Sequence, residues 1–194
     1  MVDVSMVQRG RGRFYRVDGD PRVDDLLPSV TSILNIISKP ALVPWAKKIT
    51  AEKFRSTLYL WQGDGQTFDL TDEAIESLYT EAKGMPDVLR DEAGDYGTRL
   101  HEALATQEPD AEERYPGIKA YYAWLEEQGL EVVHREVPVY HHVEGYDGTL
   151  DAIAYREGVP DPVILDYKTS SAIYWEVSLQ IAAYAYAWNA MIQD

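Results

Sequence analysis

Residues 145–184 read GYDGTLDAIAYREGVPDPVILDYKTSSAIYWEVSLQIAAY, and they decide how the chain is built. Two apolar, β-branched runs, 149–155 and 162–169, flank REGVPDP, whose glycine and prolines mark a turn. The pattern predicts a β-hairpin. Along its second strand side chains alternate between faces, so Val163, Leu165 and Tyr167 fall on one side and Ile164, Asp166 and Lys168 on the other. Asp166 and Lys168 then project together, about 7 Å apart along the strand. Asp151 lies at the start of the first strand, and antiparallel pairing can bring its carboxylate toward Asp166.

Two carboxylates and a lysine in one patch suit a particular chemistry. Hard divalent ions such as Mg²⁺ and Mn²⁺ prefer carboxylate oxygens, keep several waters and take substrate phosphate oxygens as further ligands. A neighbouring lysine can orient a water or stabilise charge developing on phosphorus. Phosphodiester hydrolysis is the reaction these residues fit.

Asp151, the Asp166-Tyr167-Lys168 triplet, and Gln180 followed four residues later by Tyr184 resemble the signature of the PD-(D/E)xK nuclease superfamily. Its RecB-type branch adds an upstream Gly-Thr-x-x-His element, matched here by Gly97, Thr98 and His101. The order GTRLH, GTLD, DYK, QIAAY is far more specific than any one piece, and the matched region spans residues 95–188. Residues 28–48, PSVTSILNIISKPALVPWAKK, additionally resemble the opening of phage-type exonucleases of this branch and of mitochondrial genome maintenance exonucleases.

The resemblance implies an α/β protein with a restriction-endonuclease-like core, a central mixed β-sheet flanked by helices. It implies one nuclease domain over 1–194, with a mainly helical N-terminal region (1–85) before the catalytic core (86–194). His101, Asp151, Asp166 and the Tyr167 backbone carbonyl would hold Mg²⁺ or Mn²⁺, the imidazole suiting Mn²⁺. Lys168 would position the attacking water. Gln180, Tyr184, Thr98 and Thr169 would contact DNA or brace the catalytic residues, and Glu136 is placed near the metal as a further acid. The family core continues with another strand after the QxxxY helix, so an end at Asp194 implies a truncated core whose open sheet edge invites self-association. The implied activity is that of a metal-dependent DNA exonuclease in phage or prophage DNA processing, with DNA and a recombination protein as partners, in the cytoplasm of a bacterial or phage-infected cell. The alternatives are a non-catalytic DNA-binding or assembly protein that keeps the core, and a metal-dependent enzyme acting on a smaller substrate.

At 194 residues and 45% hydrophobic content the chain can bury one substantial core. It has no long apolar run for a membrane span and no apolar signal segment at its start. The absence of cysteine excludes disulfides, thiolate zinc sites and the iron–sulfur cluster that some RecB-type nucleases carry. A net charge of −15 opposes nucleic-acid binding, yet the charge is uneven: residues 1–60 hold ten Lys/Arg against six Asp/Glu, and the remainder eight against twenty-seven.

Residues 7–17, VQRGRGRFYRV, combine Arg9, Arg11, Arg13 and Arg16 with Phe14 and Tyr15, the composition of a phosphate-gripping, base-stacking segment or of a solvated hairpin arm. Ser29 and Thr31 can cap a helix through Ile37, and Pro40 and Pro44 punctuate a second with Trp45, Ala46 and Ile49 inward and Lys47, Lys48 and Lys53 outward. Residues 62–69 read as a loop. Helices follow over 71–82 and from Pro86 to Thr106, with Leu100 and Leu104 facing the core beside His101, and over 115–128, ended by Gly129. Residues 130–140 form a strand with Val133, Val137 and Val139 on one face and Glu136 on the other, and His141 and His142 read as turn residues on opposite faces. Residues 175–192 form a helix apolar almost all round, hence buried against the sheet.

Overall fold

The computed structural model describes residues 3–10, 12–23, 26–37, 39–63 and 71–193; Arg11, Asp194 and most of the 62–69 loop lie outside them. The elements are β1 (Asp3–Arg9), β2 (Gly12–Asp18), β3 (Leu27–Pro28), α1 (Val30–Leu34), α2 (Leu42–Gly63), α3 (Asp72–Thr106), α4 (Ala111–Arg114), α5 (Pro116–Gln128), β4 (Leu130–His141), β5 (Tyr146–Arg156), β6 (Val163–Leu165) and α6 (Trp175–Gln193). The protein is therefore mixed α/β. Its contacts divide it into two compact units, one made of the residues up to Ile37 with those from Arg99 onward, the other of Ser38–Thr98.

In the first unit β5 and β6 form the hairpin expected around REGVPDP, with Ala152 opposite Leu165, Ile153 opposite Ile164 and Ala154 opposite Val163. The sheet order is β4-β5-β6, and a second sheet, β1-β2-β3, is separate. Both are antiparallel in every ladder, where a mixed central sheet was expected. The connections explain this: each joins neighbouring strands by a short link, which reverses the chain, whereas a parallel neighbour needs a crossover of a dozen or more residues. The one parallel contact among the described residues is a single bridge from Ser29 to Asp147.

The N-terminal region opens with strands rather than helices. Gly10, at φ +59°, turns β1 into β2, a left-handed backbone that glycine adopts without steric penalty. Ser29 caps α1, its side chain accepting from the Ser32 N–H at 3.1 Å. Val17, Leu27 and Tyr140 bury the inner side of this sheet.

Three helical expectations need correction. Pro86 was expected to start a helix, yet it lies inside α3, which begins after Thr71, whose hydroxyl accepts from the Ala74 N–H at 3.2 Å. A proline inside a helix removes a donor and costs about 3 kcal/mol, and the long helix-favouring segments on both sides carry the helix through it. In α2, within the second unit, Trp45 is exposed and Lys53 pairs with Glu81 at 2.8 Å rather than pointing freely outward. α6 is buried on one side only: Tyr184 and Ala187 are buried, while Trp175, Leu179, Tyr186 and Ile192 are exposed, because a three-stranded sheet covers a single helix face. None of the helices among the described residues is long and apolar enough to cross a membrane.

Candidate metal centre

β4 and β5 depart from regular alternation where the carboxylates sit. Leu150 and Ile153 pack with Tyr184 and Ala187 in one apolar cluster, while Ala152, Ala154 and Leu165 pack with Leu125 of α5 in another. Strict alternation would put residues 150 and 152 on the same side, so the pattern slips by one at Asp151. On β4, Glu136 lies between the register pairs Arg135–Ala152 and Val137–Leu150 with φ +48°, in the left-handed region. Irregularities of this kind bend a strand and re-aim its side chains. A further register shift between Val132 and His134 moves Val133 off the valine face and leaves it exposed, contrary to the expected stripe.

Leu100, Ala103 and Leu104 anchor the end of α3 in the core, which holds His101 beside them with its side chain 30% exposed. One ligand atom each from His101, Glu136 and Asp151 lie within 4.8 Å of one another. His101 Nδ1 is 3.2 Å from Asp151 Oδ1, and the Tyr167 N–H donates to Asp151 Oδ2 at 2.5 Å. Three elements far apart in sequence thus meet at one carboxylate.

The electrostatics fit a cation. The hydrogen bond to Asp151 raises the His101 pKa most, burial opposes it, and the Tyr167 backbone adds a smaller rise. Burial raises the Glu136 carboxyl above its usual range, and the Asp151 charge adds to the effect. A positive ion among these groups would relieve both the desolvation and the carboxylate repulsion.

Asp166 follows β6 with its side chain only 4% exposed. Its Oδ2 forms an ion pair with Lys168, and its Oδ1 accepts from Gln180 Nε2 at 3.0 Å. Burial raises its pKa, Lys168 holds it down, and Asp151 raises it further, so the two carboxylates lie within electrostatic reach. Asp166 therefore stands beside the His101–Glu136–Asp151 group, held by other partners. The same Gln180 Nε2 donates to the Tyr184 hydroxyl at 3.1 Å, so Gln180 and Tyr184 together fix the Asp166 side chain.

Val163, Leu165 and Tyr167 pack on one cluster and Ile164 on the other, the alternation predicted for this strand, although regular pairing stops at Leu165. The Tyr167 ring meets His101 edge-on at 5.6 Å, and its hydroxyl lies 2.9 Å from that of Tyr121. The Thr98 hydroxyl donates to the Gly94 carbonyl of its own helix at 3.0 Å, and Thr169 is exposed. His141 ends β4, buried, with its ring stacked on Tyr186 at 4.4 Å and on His142 at 6.0 Å, so His141 is a strand residue and the two rings share a side, while His142 lies in the turn as expected.

Two contributors had not been singled out. Tyr121 braces Tyr167 from α5, where the sequence places it beside Tyr122 and Trp124 in a run of aromatic residues. Gly148 leaves room for the Tyr184 ring, since a Cβ there would lie 2.4 Å from a ring carbon. Its signal was present as the glycine of GTLD. Comparison of the chain with protein-family models, with curated proteins and with solved structures returns no match.

Proposed function

We propose that this chain is a divalent-metal-dependent nuclease of the PD-(D/E)xK kind that hydrolyses DNA phosphodiester bonds from strand ends. The observation that carries this reading is the convergence of His101, Glu136 and Asp151 ligand atoms beside the ion pair that the buried Asp166 side chain makes with Lys168. An imidazole with two carboxylates is a donor set for Mn²⁺ or Mg²⁺. Bound there, such an ion would polarise a phosphoryl oxygen and lower the pKa of a water.

The chain's own residues do the rest. His101, Glu136 and Asp151 hold the cation, and the Tyr167 N–H keeps Asp151 aimed. Lys168 supplies a positive ammonium that orients the attacking water and stabilises negative charge on the phosphate. Gln180, itself held by Tyr184, keeps Asp166 turned toward Lys168. Substrate phosphate brings its own negative charge, so the cation is needed to offset the carboxylates before substrate can enter.

The test is degradation of end-labelled linear and circular DNA with Mn²⁺, Mg²⁺ or EDTA, by the wild type and by Lys168→Ala. Metal-dependent loss of linear DNA that the variant cannot perform is the expected result. Cleavage that persists in EDTA or in the variant refutes the site. A folded, metal-binding protein without cleavage favours the DNA-binding or assembly reading.

A further inference from the structure

The β1–β2 hairpin presents two unlike faces. Register pairs Gln8–Arg13, Met6–Tyr15 and Val4–Val17 share one face, and Arg9–Gly12, Val7–Phe14 and Ser5–Arg16 share the other. The first face is turned inward at its Tyr15 and Val17 positions: Val17 is core, and the Tyr15 hydroxyl lies 2.9 Å from the Thr149 hydroxyl of β5, while Met6, Gln8 and Arg13 toward the turn are exposed. The second face looks out, with Arg9 and Arg16 exposed and Phe14 half-buried between them.

Three features of the outer face point to a ligand. Arg9 and Arg16 form no ion pair among the described residues, in a chain carrying thirty-three acidic side chains against eighteen basic ones. Phe14 lies over Gly12, where a Cβ would come within 2.9 Å of its ring, and is flanked by Val7 and Pro28. The ring is thus supported by backbone and apolar neighbours beneath, with arginines at both ends of the strip. Four residues separate the Arg9–Gly12 and Ser5–Arg16 levels, which spreads the charges over about 14 Å of strand.

The hairpin is also anchored to the candidate centre. Thr149, which meets Tyr15, lies two residues before Asp151 on β5, about 7 Å along the strand. The Ser29 N–H donates to the Arg13 carbonyl at 3.0 Å, and Ser29 bridges to Asp147 of β5.

We propose that the outer face of this hairpin binds a single strand of nucleic acid, Arg9 and Arg16 gripping phosphates and Phe14 stacking a base, and so leads that strand to the metal centre. Alternating arginine and aromatic side chains are how sequence-tolerant single-strand binding surfaces work. Charge complementarity selects the polyanion, because the remainder of the chain is strongly acidic and repels it. The substrate class rests on the nuclease reading above.

The test is fluorescence anisotropy of a labelled oligothymidylate in EDTA, where no turnover interferes, over a salt series. Each single-strand phosphate contact contributes about 0.7 to the salt slope, so Arg9→Ala/Arg16→Ala should lower it by about 1.4. The wild type should then lose about 7-fold more affinity than the double variant between about 50 and 200 mM salt. Arg9→Lys/Arg16→Lys should keep the slope, and Phe14→Leu should weaken oligothymidylate binding without weakening heparin binding. Arg13→Ala, exposed but on the opposite face of the hairpin, should change neither. An unchanged slope in the alanine pair overturns the proposal, as does an equal loss from Arg13→Ala or preferential binding of duplex over single strand. Hairpin-dependent binding without any metal-dependent cleavage would refute the nuclease reading alone, whereas cleavage lost in Lys168→Ala with binding untouched by the arginine changes would refute the hairpin alone.

Discussion

Replacing Gly148 by alanine adds one methyl group at a place where the fold has no room for it. The new Cβ would lie 2.4, 3.2 and 3.3 Å from three atoms of the Tyr184 ring. To reach the ordinary carbon contact of about 3.5 Å the ring must retreat by about 1 Å. It is walled by Val30, Val139, Leu150, Ile153 and Ala187, all buried, so the retreat displaces packed core. Overpacking of this kind costs about 1–3 kcal/mol. Loss of the Gln180–Tyr184 hydrogen bond adds about 1 kcal/mol, and the stiffer unfolded chain of an alanine variant returns about 0.4–1 kcal/mol. The net destabilisation is about 2 kcal/mol, which for a chain of this length lowers Tm by about 4–8 °C. Thermal unfolding followed by circular dichroism measures it, with Tyr184→Leu and the double variant completing a cycle. The smaller leucine should absorb much of the added methyl, giving a coupling of about 1–2 kcal/mol. A Gly148→Ala protein as stable as wild type, or strictly additive variants, would refute the argument that Gly148 seats Tyr184.

Asp147 is fully buried, neither of its oxygens meets a hydrogen-bond partner among the described residues, and burial pushes its carboxyl up to about 8. Its folded pKa exceeds the unfolded value of about 3.9, so stability falls as pH rises from about 4 to about 8. Urea unfolding should show Asp147→Asn losing that slope; identical pH dependence in the two proteins would count against the assignment. Asp20 titrates the opposite way: hydrogen bonds from the Arg22 side chain and backbone hold its carboxyl well below the usual range, and Tyr140 donates to it at 2.9 Å. Its stabilisation is present above about pH 4 and is lost as pH falls toward the folded value. Asp20→Asn should cost about 1–3 kcal/mol near neutrality and much less in acid, read from denaturation midpoints. Mn²⁺ at about 100 times its Kd should raise stability by about 2.7 kcal/mol, or Tm by about 5–11 °C. Glu136→Gln and Asp151→Asn should each reduce that rise, and full retention in either variant would remove that residue from the metal centre.

Much of the candidate centre was legible because it is local. Asp166 and Lys168 share a strand face, Gln180 and Tyr184 share a helix ridge, and the hairpin around REGVPDP is encoded by its own turn residues and β-branched flanks. The Asp166–Lys168 ion pair and the Gln180–Tyr184 hydrogen bond follow from those spacings. Glu136 was different. Period-two alternation puts it on the face opposite the valines, and no spacing rule foresees that φ +48° at its position would bring it to His101 and Asp151.

By itself the sequence determined the order of elements from α5 onward, a capped helix start at Ser29 or Thr31, the absence of thiolate ligands and the identity of most groups that meet at the centre. These depend on propensities and periods that act over a few residues. Tertiary structure decided the rest: that both sheets are antiparallel, that α3 runs through Pro86, that α6 leaves Trp175, Leu179, Tyr186 and Ile192 exposed, and that Gly148 is the seat of Tyr184. Each depends on which surface an element finds to pack against, and that surface is made of residues distant in the chain.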